Sequence, residues 1–87
     1  MQTYSEEVLL AAQMIMSSFP YRTIEFFCRC YPHMQEQKMM SCKDMAMIYG
    51  CTPPAAKKHI DVLTQRRYLN RVHYRAWQIN DELVKAS

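Results

Sequence analysis

The stretch Tyr49–Ile60, "YGCTPPAAKKHI", contains the only glycine of the 87-residue chain. Gly50 closes a short segment that begins at Ser41, and glycine is the residue best able to adopt the left-handed conformation that ends a helix. Thr52 is a good N-cap, and Pro53 suits the first helical position, where a missing amide proton costs nothing. The stretch therefore predicts two helices joined by a sharp three-residue turn.

The second helix of this pair, Pro53 to about Arg66, is predicted to have two distinct faces. The apolar side chains of Ala56, Ile60 and Leu63 fall on one side, which indicates the packed face. His59 lies beside them and is interpreted as a packing residue. The opposite side collects Pro54, Lys57, Lys58, Asp61 and Gln65. One face of this helix is thus expected to pack on the protein and the other to be presented to solvent.

The first helix of the pair begins at Ser41, where "SCKDMAMIYG" has the spacing of a capping box with Asp44 in place of the usual glutamate. Met45, Ile48 and Tyr49 are expected to face inward, since they recur at helical spacing.

Two further helices are predicted before this pair. Thr3 or Ser5 can cap a helix to about Ser17 that is apolar almost all round. Its expected buried stripe consists of Val8, Leu9, Ala12, Ile15, Met16 and Phe19. A second helix is expected from Pro20 or Thr23 to Tyr31, because Pro32 is a strong helix breaker. Residues 32–40 are interpreted as a loop ending in a short strand.

A hairpin is predicted after the basic helix, in "RRYLNRVHYRAWQIN". β-branched and aromatic residues alternate with polar ones there, which favours strands at 69–72 and 76–79 joined by a tight turn at 73–75. In a regular hairpin Arg71, His73 and Arg75 would project from one side, and Trp77 and Ile79 from one side toward the core. Asn80 can cap a last short helix over residues 81–86.

This order of elements from Ser41 to Leu83 resembles the winged helix-turn-helix domains of bacterial transcriptional regulators. The resemblance rests on the Ser41 cap, on Gly50 and Cys51 in the turn, and on Thr52 and Pro53 at the start of the second helix. Met45 and Ala46 in the first helix, and Ile60 and Leu63 in the second, also match. The chain departs from many members of that family in having Arg67 and Tyr68 where they place a glycine before the first wing strand.

The resemblance implies a mainly α fold with a small β-hairpin, a winged helix-turn-helix at 36–87 with N-terminal helices at 1–35, all in one compact domain. In that family the second helix enters the major groove of DNA, and the hairpin, called the wing, contacts the backbone or the minor groove. The implied elements here are helix 53–66 and wing 67–79. The DNA-binding residues carried over by position are Thr52, Pro54, Ala55, Lys57, Lys58 and Asp61 in the helix, and Arg67, Arg71, His73 and Arg75 in the wing.

Charge is distributed in a way that agrees with a polyanionic partner. Residues 1–51 hold four Lys/Arg against five Asp/Glu, residues 52–75 hold six against one, and residues 76–87 hold one against two. The cations of the middle segment are Lys57, Lys58, Arg66, Arg67, Arg71 and Arg75. Since the excess of positive charge begins at the turn, we expect the second helix and the hairpin to face double-stranded DNA.

The four cysteines, with His33, raise the alternative of a zinc or iron-sulfur site. Cys28 and Cys30 lie on different sides of any helix that contains both, and no spacing matches a common metal motif, so no metal and no cofactor is predicted. A glycine-rich phosphate loop and paired carboxylates are also missing from the sequence, and we expect no enzyme activity.

Two functions remain open at this point. The first is a sequence-specific DNA-binding transcriptional regulator, a homodimer through the apolar helix 6–17, since small domains of this kind usually read two half-sites. The second is a winged-helix module that binds a protein partner. The apolar stretch Val8–Met16 is too short to span a membrane and acids precede it, so no membrane association and a cytoplasmic location are expected.

Overall fold

Five helices and one two-stranded antiparallel sheet make up residues 5–84, the part of the chain that the structure, a computed structural model, describes. The elements in chain order are α1 (Glu6–Met16), α2 (Tyr21–Gln37), α3 (Cys42–Tyr49), α4 (Pro53–Gln65), β1 (Leu69–His73), β2 (Ala76–Ile79) and α5 (Asp81–Val84). The predicted mainly helical chain with a small β-hairpin is confirmed. Among these helices none has both the length and the apolarity that crossing a bilayer requires.

Helix α1 begins at Ser5, whose hydroxyl accepts a hydrogen bond of 3.3 Å from the Val8 amide. The alternative cap, Thr3, lies outside the described residues. The helix ends in a Schellman turn, in which Ser18 has a left-handed φ of 61° and the Phe19 amide donates to the Met14 carbonyl at 3.1 Å. This turn directs the chain into α2.

The predicted buried stripe of α1 is wrong for all but one of its residues. Leu10 and Met14 are the buried side chains of the helix, and Phe19 is buried just after it. The residues expected inside, Val8, Leu9, Ala12, Ile15 and Met16, are exposed. Because α1 is apolar almost all round, periodicity did not distinguish its faces. Packing against α2 selected the Leu10 and Met14 side.

Helix α2 continues through Pro32, where the sequence predicted its end. Proline removes the hydrogen bond to the Cys28 carbonyl, and inside a helix it costs on the order of 3 kcal/mol or more. Pro32 itself is exposed, whereas its neighbours Tyr31 and Met34 are buried. Burial of these large side chains therefore keeps the helix intact to Gln37, and the loop predicted from residue 32 is largely helical.

The chain leaves α2 through a tight turn at Lys38, which has φ 68° and ψ −47°. The Met39 amide donates to the Gln37 carbonyl at 2.8 Å across it, as in a γ-turn of positive φ. Met40 then exchanges two hydrogen bonds of 2.9 Å with Trp77 of β2. The short strand expected near residue 40 is thus a single bridge that ties the end of α2 to the hairpin.

One cluster of buried side chains draws on helices α1–α4 and on both strands. Its largest fully buried members include Phe26 and Phe27 of α2, Met45 of α3, and Ile60 and Leu63 of α4. Trp77 and Ile79 of β2 are also buried, as their shared parity predicted. Residue 35, where the sequence separates the N-terminal helices from the rest, lies inside α2.

Candidate nucleic-acid interface

The turn between α3 and α4 has the geometry predicted from its sequence. Gly50 is left-handed, with φ 85° and ψ 41°, and the amides of Gly50 and Cys51 donate to the Ala46 carbonyl at 2.8 and 3.0 Å. The Thr52 hydroxyl accepts a hydrogen bond of 3.3 Å from the Ala55 amide, and Pro53 follows as the first residue of α4. Thr52, one of the predicted DNA-binding residues, thus uses its side chain to cap the helix.

Helix α4 presents the two faces expected of it. Ala56, Ile60 and Leu63 are buried against the core. The predicted outward residues Pro54, Lys57, Lys58, Asp61 and Gln65 are all exposed. Ala55, carried over from the resemblance as a DNA-facing residue, is half-buried.

The two lysines of α4 differ in their surroundings. Lys57 Nζ lies 2.7 Å from Asp61 Oδ1, one turn further along the helix. An exposed pair of this kind stabilises a helix by only about 0.3–0.5 kcal/mol, so a polyanion can displace the carboxylate. Within residues 5–84 the structure gives the Lys58 ammonium neither an ion pair nor a hydrogen bond. An anion can therefore bind Lys58 without first displacing a carboxylate, as it must at Lys57.

The side chain of Arg66 makes its contacts within the protein, although the sequence grouped it with the cations expected to face DNA. Its guanidinium donates to the carbonyls of Ser17 and Ser18 at 2.7 and 3.4 Å, and lies 4.5 Å from the centre of the Phe19 ring. Ser17 and Ser18 end α1, so this arginine fastens the end of α4 to the turn between α1 and α2. The other cations of the segment are Lys57, Lys58, Arg67, Arg71 and Arg75, of which Arg71 also donates to a backbone carbonyl, that of Tyr74 in the hairpin.

Arg67 occupies the position at which the sequence lacked a glycine. It has a left-handed φ of 66°, and the Tyr68 amide donates to the Leu63 carbonyl at 2.8 Å, so α4 ends in a Schellman turn. The Arg67 carbonyl accepts a hydrogen bond of 2.9 Å from the Asn80 side chain. The backbone conformation expected of a glycine is thus adopted by an arginine, whose side chain is exposed.

Arg71, His73 and Arg75 were expected to project from one side only if the hairpin is regular. The hairpin is irregular, so that expectation does not apply. Arg71 pairs with Trp77, and the register then shifts before His73, which pairs with Ala76. Arg71 lies 5.6 Å from the centre of the Trp77 indole and donates to the Tyr74 carbonyl at 2.7 Å. All three predicted residues are exposed.

The hairpin turn carries an aromatic side chain that sequence reasoning passed over. Tyr74 is exposed, with the His73 ring 4.7 Å from its centre and the Arg75 guanidinium 5.0 Å from it. The sequence contained a signal for this exposed side chain, because "VHYRA" places a tyrosine between a histidine and an arginine at a predicted turn.

A single cleft brings together α3, α4 and the hairpin. Lys43 near the start of α3, Lys57 of α4 and Arg75 of the hairpin turn all line it. Its volume is about 490 Å³. Three cations that are far apart in sequence thus border the same surface. The sequence did not predict Lys43 at this surface, because Lys43 precedes the basic segment 52–75.

His59 packs between α4 and α2, as expected. Its ring stacks on Phe26 at 5.0 Å between centres, and Nδ1 shares a hydrogen bond of 3.0 Å with the Thr23 hydroxyl. Burial lowers the pKa of His59 from its ordinary value, and the nearby charge of Arg22 lowers it further. The neutral ring is therefore favoured in the folded protein, which suits a packing residue rather than a reader of DNA bases.

The cysteines point to different elements. Cys28 Sγ lies 3.9 Å from the Glu7 carbonyl of α1, whereas the buried Cys30 lies 3.8 Å from the Met45 carbonyl of α3. Burial raises the pKa of Cys30 to about 12 and also raises those of Cys28 and Cys42. Protonated thiols are poor nucleophiles and poor metal ligands. Nowhere in residues 5–84 do three or more His, Cys, Asp or Glu side chains form a group that could hold a metal ion.

Neither a family model, nor a curated protein, nor a solved structure matches this chain. The support for a function therefore comes from the geometry and the charge of the surface formed by α4 and the hairpin.

Proposed function

We propose that this chain is a winged helix-turn-helix protein that binds double-stranded DNA in a sequence-specific way and regulates transcription. The observation that carries the proposal is the meeting of Lys57 of α4 and Arg75 of the hairpin turn at one cleft. A helix with an exposed basic face, beside a basic hairpin, suits one DNA groove and the phosphates that flank it.

In this proposal α4 enters the major groove and the hairpin is the wing. Pro54, Lys57, Lys58 and Asp61 are exposed on α4 and face the base edges and the nearest phosphates. Arg71, His73 and Arg75 contact the backbone or the minor groove, with Arg67 beside them.

We further propose that the protein is a symmetric dimer through the exposed face of α1. Val8, Leu9, Ala12, Ile15 and Met16 form a continuous apolar stripe there, and Ile15 is 61% exposed. A second copy would remove this stripe from water and place two α4 helices on two half-sites. The proposal assigns no catalytic residue and no cofactor, and it places the protein in the cytoplasm.

The decisive experiment is a salt-titrated measurement of binding to a labelled duplex by fluorescence anisotropy. If about four phosphates are bound per protomer, log affinity should fall with log salt at about −0.9 for each of them. The double variant Lys57→Ala, Lys58→Ala should weaken binding to the best site by roughly 1–3 kcal/mol for each base that a lysine reads well in the wild type.

A matched control removes the same two charges elsewhere. Arg22→Ala with Lys38→Ala takes two exposed cations from α2 and the turn after it, and should leave the affinity nearly unchanged. A wild-type affinity that does not depend on salt, or equal losses in both double variants, would replace the DNA proposal with the alternative of a protein-binding winged-helix module.

Sedimentation tests the dimer separately. Ile15→Glu places a charge on an exposed position and should convert dimer to monomer while the chain stays folded. Met47→Glu makes the same kind of change on α3, where Met47 is 75% exposed, and should leave the assembly intact. A wild-type chain that sediments as a monomer at high micromolar concentration would remove the dimer.

A further inference from the structure

The cleft between α3, α4 and the hairpin has a lining that DNA binding alone does not account for. Its surface is almost wholly apolar, although two lysines and an arginine are among the residues that border it. These long side chains therefore contribute mainly their methylene groups to the walls. Of their charged groups, that of Lys57 lies 2.7 Å from Asp61 and that of Arg75 lies 5.0 Å from the centre of the Tyr74 ring. Such a cleft combines an apolar floor with a cationic rim.

The floor is held in place by contacts within the protein. Trp77 is buried and bonded through its backbone to Met40 by two hydrogen bonds of 2.9 Å. Cys42 Sγ donates to the Pro53 carbonyl at 3.3 Å, which joins the first residue of α3 to that of α4. Burial keeps the Cys42 thiol neutral by raising its pKa, so it adds no charge to the floor. The cleft is therefore formed before any ligand arrives.

The rim carries positive charge from three separate elements. Lys43, Lys57 and Arg75 border the cleft, and no carboxylate is among its lining residues. Besides burial, which raises the pKa of Cys42, the ammonium of Lys57 acts on it in the lowering direction, and the carboxylate of Asp61 acts in the raising direction. Asp61 holds Lys57 only through an exposed ion pair. The charge at the mouth is thus complementary to an anion.

We propose that this cleft is a binding site for a small aromatic carboxylate. The volume of about 490 Å³ is in the range of small-molecule sites, roughly 300–1,000 Å³. The ring of the ligand packs against Trp77 and Pro53, and its carboxylate faces Lys43, Lys57 and Arg75. Inorganic phosphate fits less well, because it has no apolar part to place on the floor, although the hydroxyl-bearing Ser41 and Tyr74 are also among the lining residues.

The inference goes beyond the proposed DNA binding and does not depend on it. Lys57 and Arg75 belong to both surfaces, so the anion site overlaps the proposed DNA surface. The test uses the full chain without DNA, and therefore a failure of one proposal is distinguishable from a failure of the other.

Trp77 makes the test direct, because it is the only tryptophan of the chain and lines the cleft. Its fluorescence is followed while phenylacetate is added at constant ionic strength. We expect a saturable change, with phenylacetate binding about fivefold to tenfold more tightly than the neutral phenylacetamide, as charge-assisted hydrogen bonds predict. Acetate and inorganic phosphate should produce no saturable change.

Two variants and one control locate the site. Lys43→Gln should weaken the binding of phenylacetate severalfold and leave that of phenylacetamide unchanged, whereas Lys38→Gln removes the same charge outside the cleft and should have no effect. Cys42→Leu should fill the floor and weaken both ligands, with circular dichroism to confirm the fold. If Cys42→Leu does not fold, the comparison of Lys43→Gln with Lys38→Gln still tests whether the ligand binds in the cleft.

Three results would overturn the inference. They are the lack of a saturable change with phenylacetate, equal affinities for phenylacetate and phenylacetamide, and equal effects of Lys43→Gln and Lys38→Gln.

Discussion

Helices α1 and α4 both pack on α2, and each leaves one face uncovered. The uncovered face of α1 is aliphatic, with Met16 86% exposed beside Ile15. That of α4 is charged and carries Lys57 and Lys58. Water solvates the charged face of α4 well in the free protein. Exposure of the apolar face of α1 to water is unfavourable until another surface covers it. We therefore propose different partners for the two faces, a polyanion for α4 and a second copy of the chain for α1.

The same two helices also end alike. Ser18 after α1 and Arg67 after α4 have φ of 61° and 66°, a conformation that non-glycine residues adopt at a cost. Arg66 links the two ends, since it donates to the carbonyls of Ser17 and Ser18. Helices α1 and α4 are thus supported in the same way and differ mainly in the chemistry of the face left free.

The largest expected effect tests which face of α1 belongs to the core. Met14 is fully buried, whereas Met16 lies on the uncovered side two residues later. Met14→Ala should destabilise the fold by about 2–5 kcal/mol, because alanine buries less apolar surface in the core than methionine does and leaves a cavity there. Met16→Ala should change the stability by about 0.5 kcal/mol or less. Chemical denaturation at a concentration where the chain is monomeric measures both, and similar losses would contradict the assignment of the two faces.

A smaller loss is expected at the turn that starts α4. Gly50→Val should destabilise by more than about 1 kcal/mol, because a β-branched residue is poorly accommodated at positive φ. A Cβ at Gly50 would meet no atom within 4 Å, so the penalty is one of conformation rather than of collision. Gly50→Asn should lose less, since asparagine tolerates the left-handed region. An unchanged melting temperature for the valine variant would argue against this turn.

A gain in stability is expected at the other end of α4. Arg67→Gly relieves the positive φ and should stabilise the fold by about 0.5 kcal/mol, after allowance for the greater freedom of glycine in the unfolded chain. Arg67→Ala removes the same charge but keeps the unfavourable φ, and should bring no gain. Ser18→Gly makes the corresponding change after α1. Thermal denaturation of the three variants decides, and equal gains for glycine and alanine would point to charge instead.

The smallest effect concerns the side of α4 that faces α2. The pKa of His59 is lowered in the folded protein by burial and by Arg22, so the unfolded chain takes up a proton more readily than the folded chain. The contribution of His59 is therefore complete above its ordinary pKa of 6.5 and is lost as the pH falls below that value. Denaturant unfolding across this range should show less loss at acid pH in His59→Asn than in the wild type. Identical pH profiles would remove this role.

The candidate site was predictable from sequence where its signals are local. The Gly50 turn, the Thr52 cap and the two faces of α4 depend on residues a few positions apart, and all three were expected. The bulge in the hairpin, the cleft and the inclusion of Lys43 were not expected. They depend on how the strands pair and on which elements meet, and residue spacing does not record either.

The sequence by itself determined the kinds of element and the charge of the face that α4 presents. Only the tertiary structure decided that α2 continues through Pro32, that Leu10 and Met14 are the inward side of α1, and that Arg66 turns back to Ser17. The physical reason is the same in each case. Local preference is worth at most a few kcal/mol for a residue, and burial of large side chains or a charge-assisted hydrogen bond between distant segments is comparable or larger.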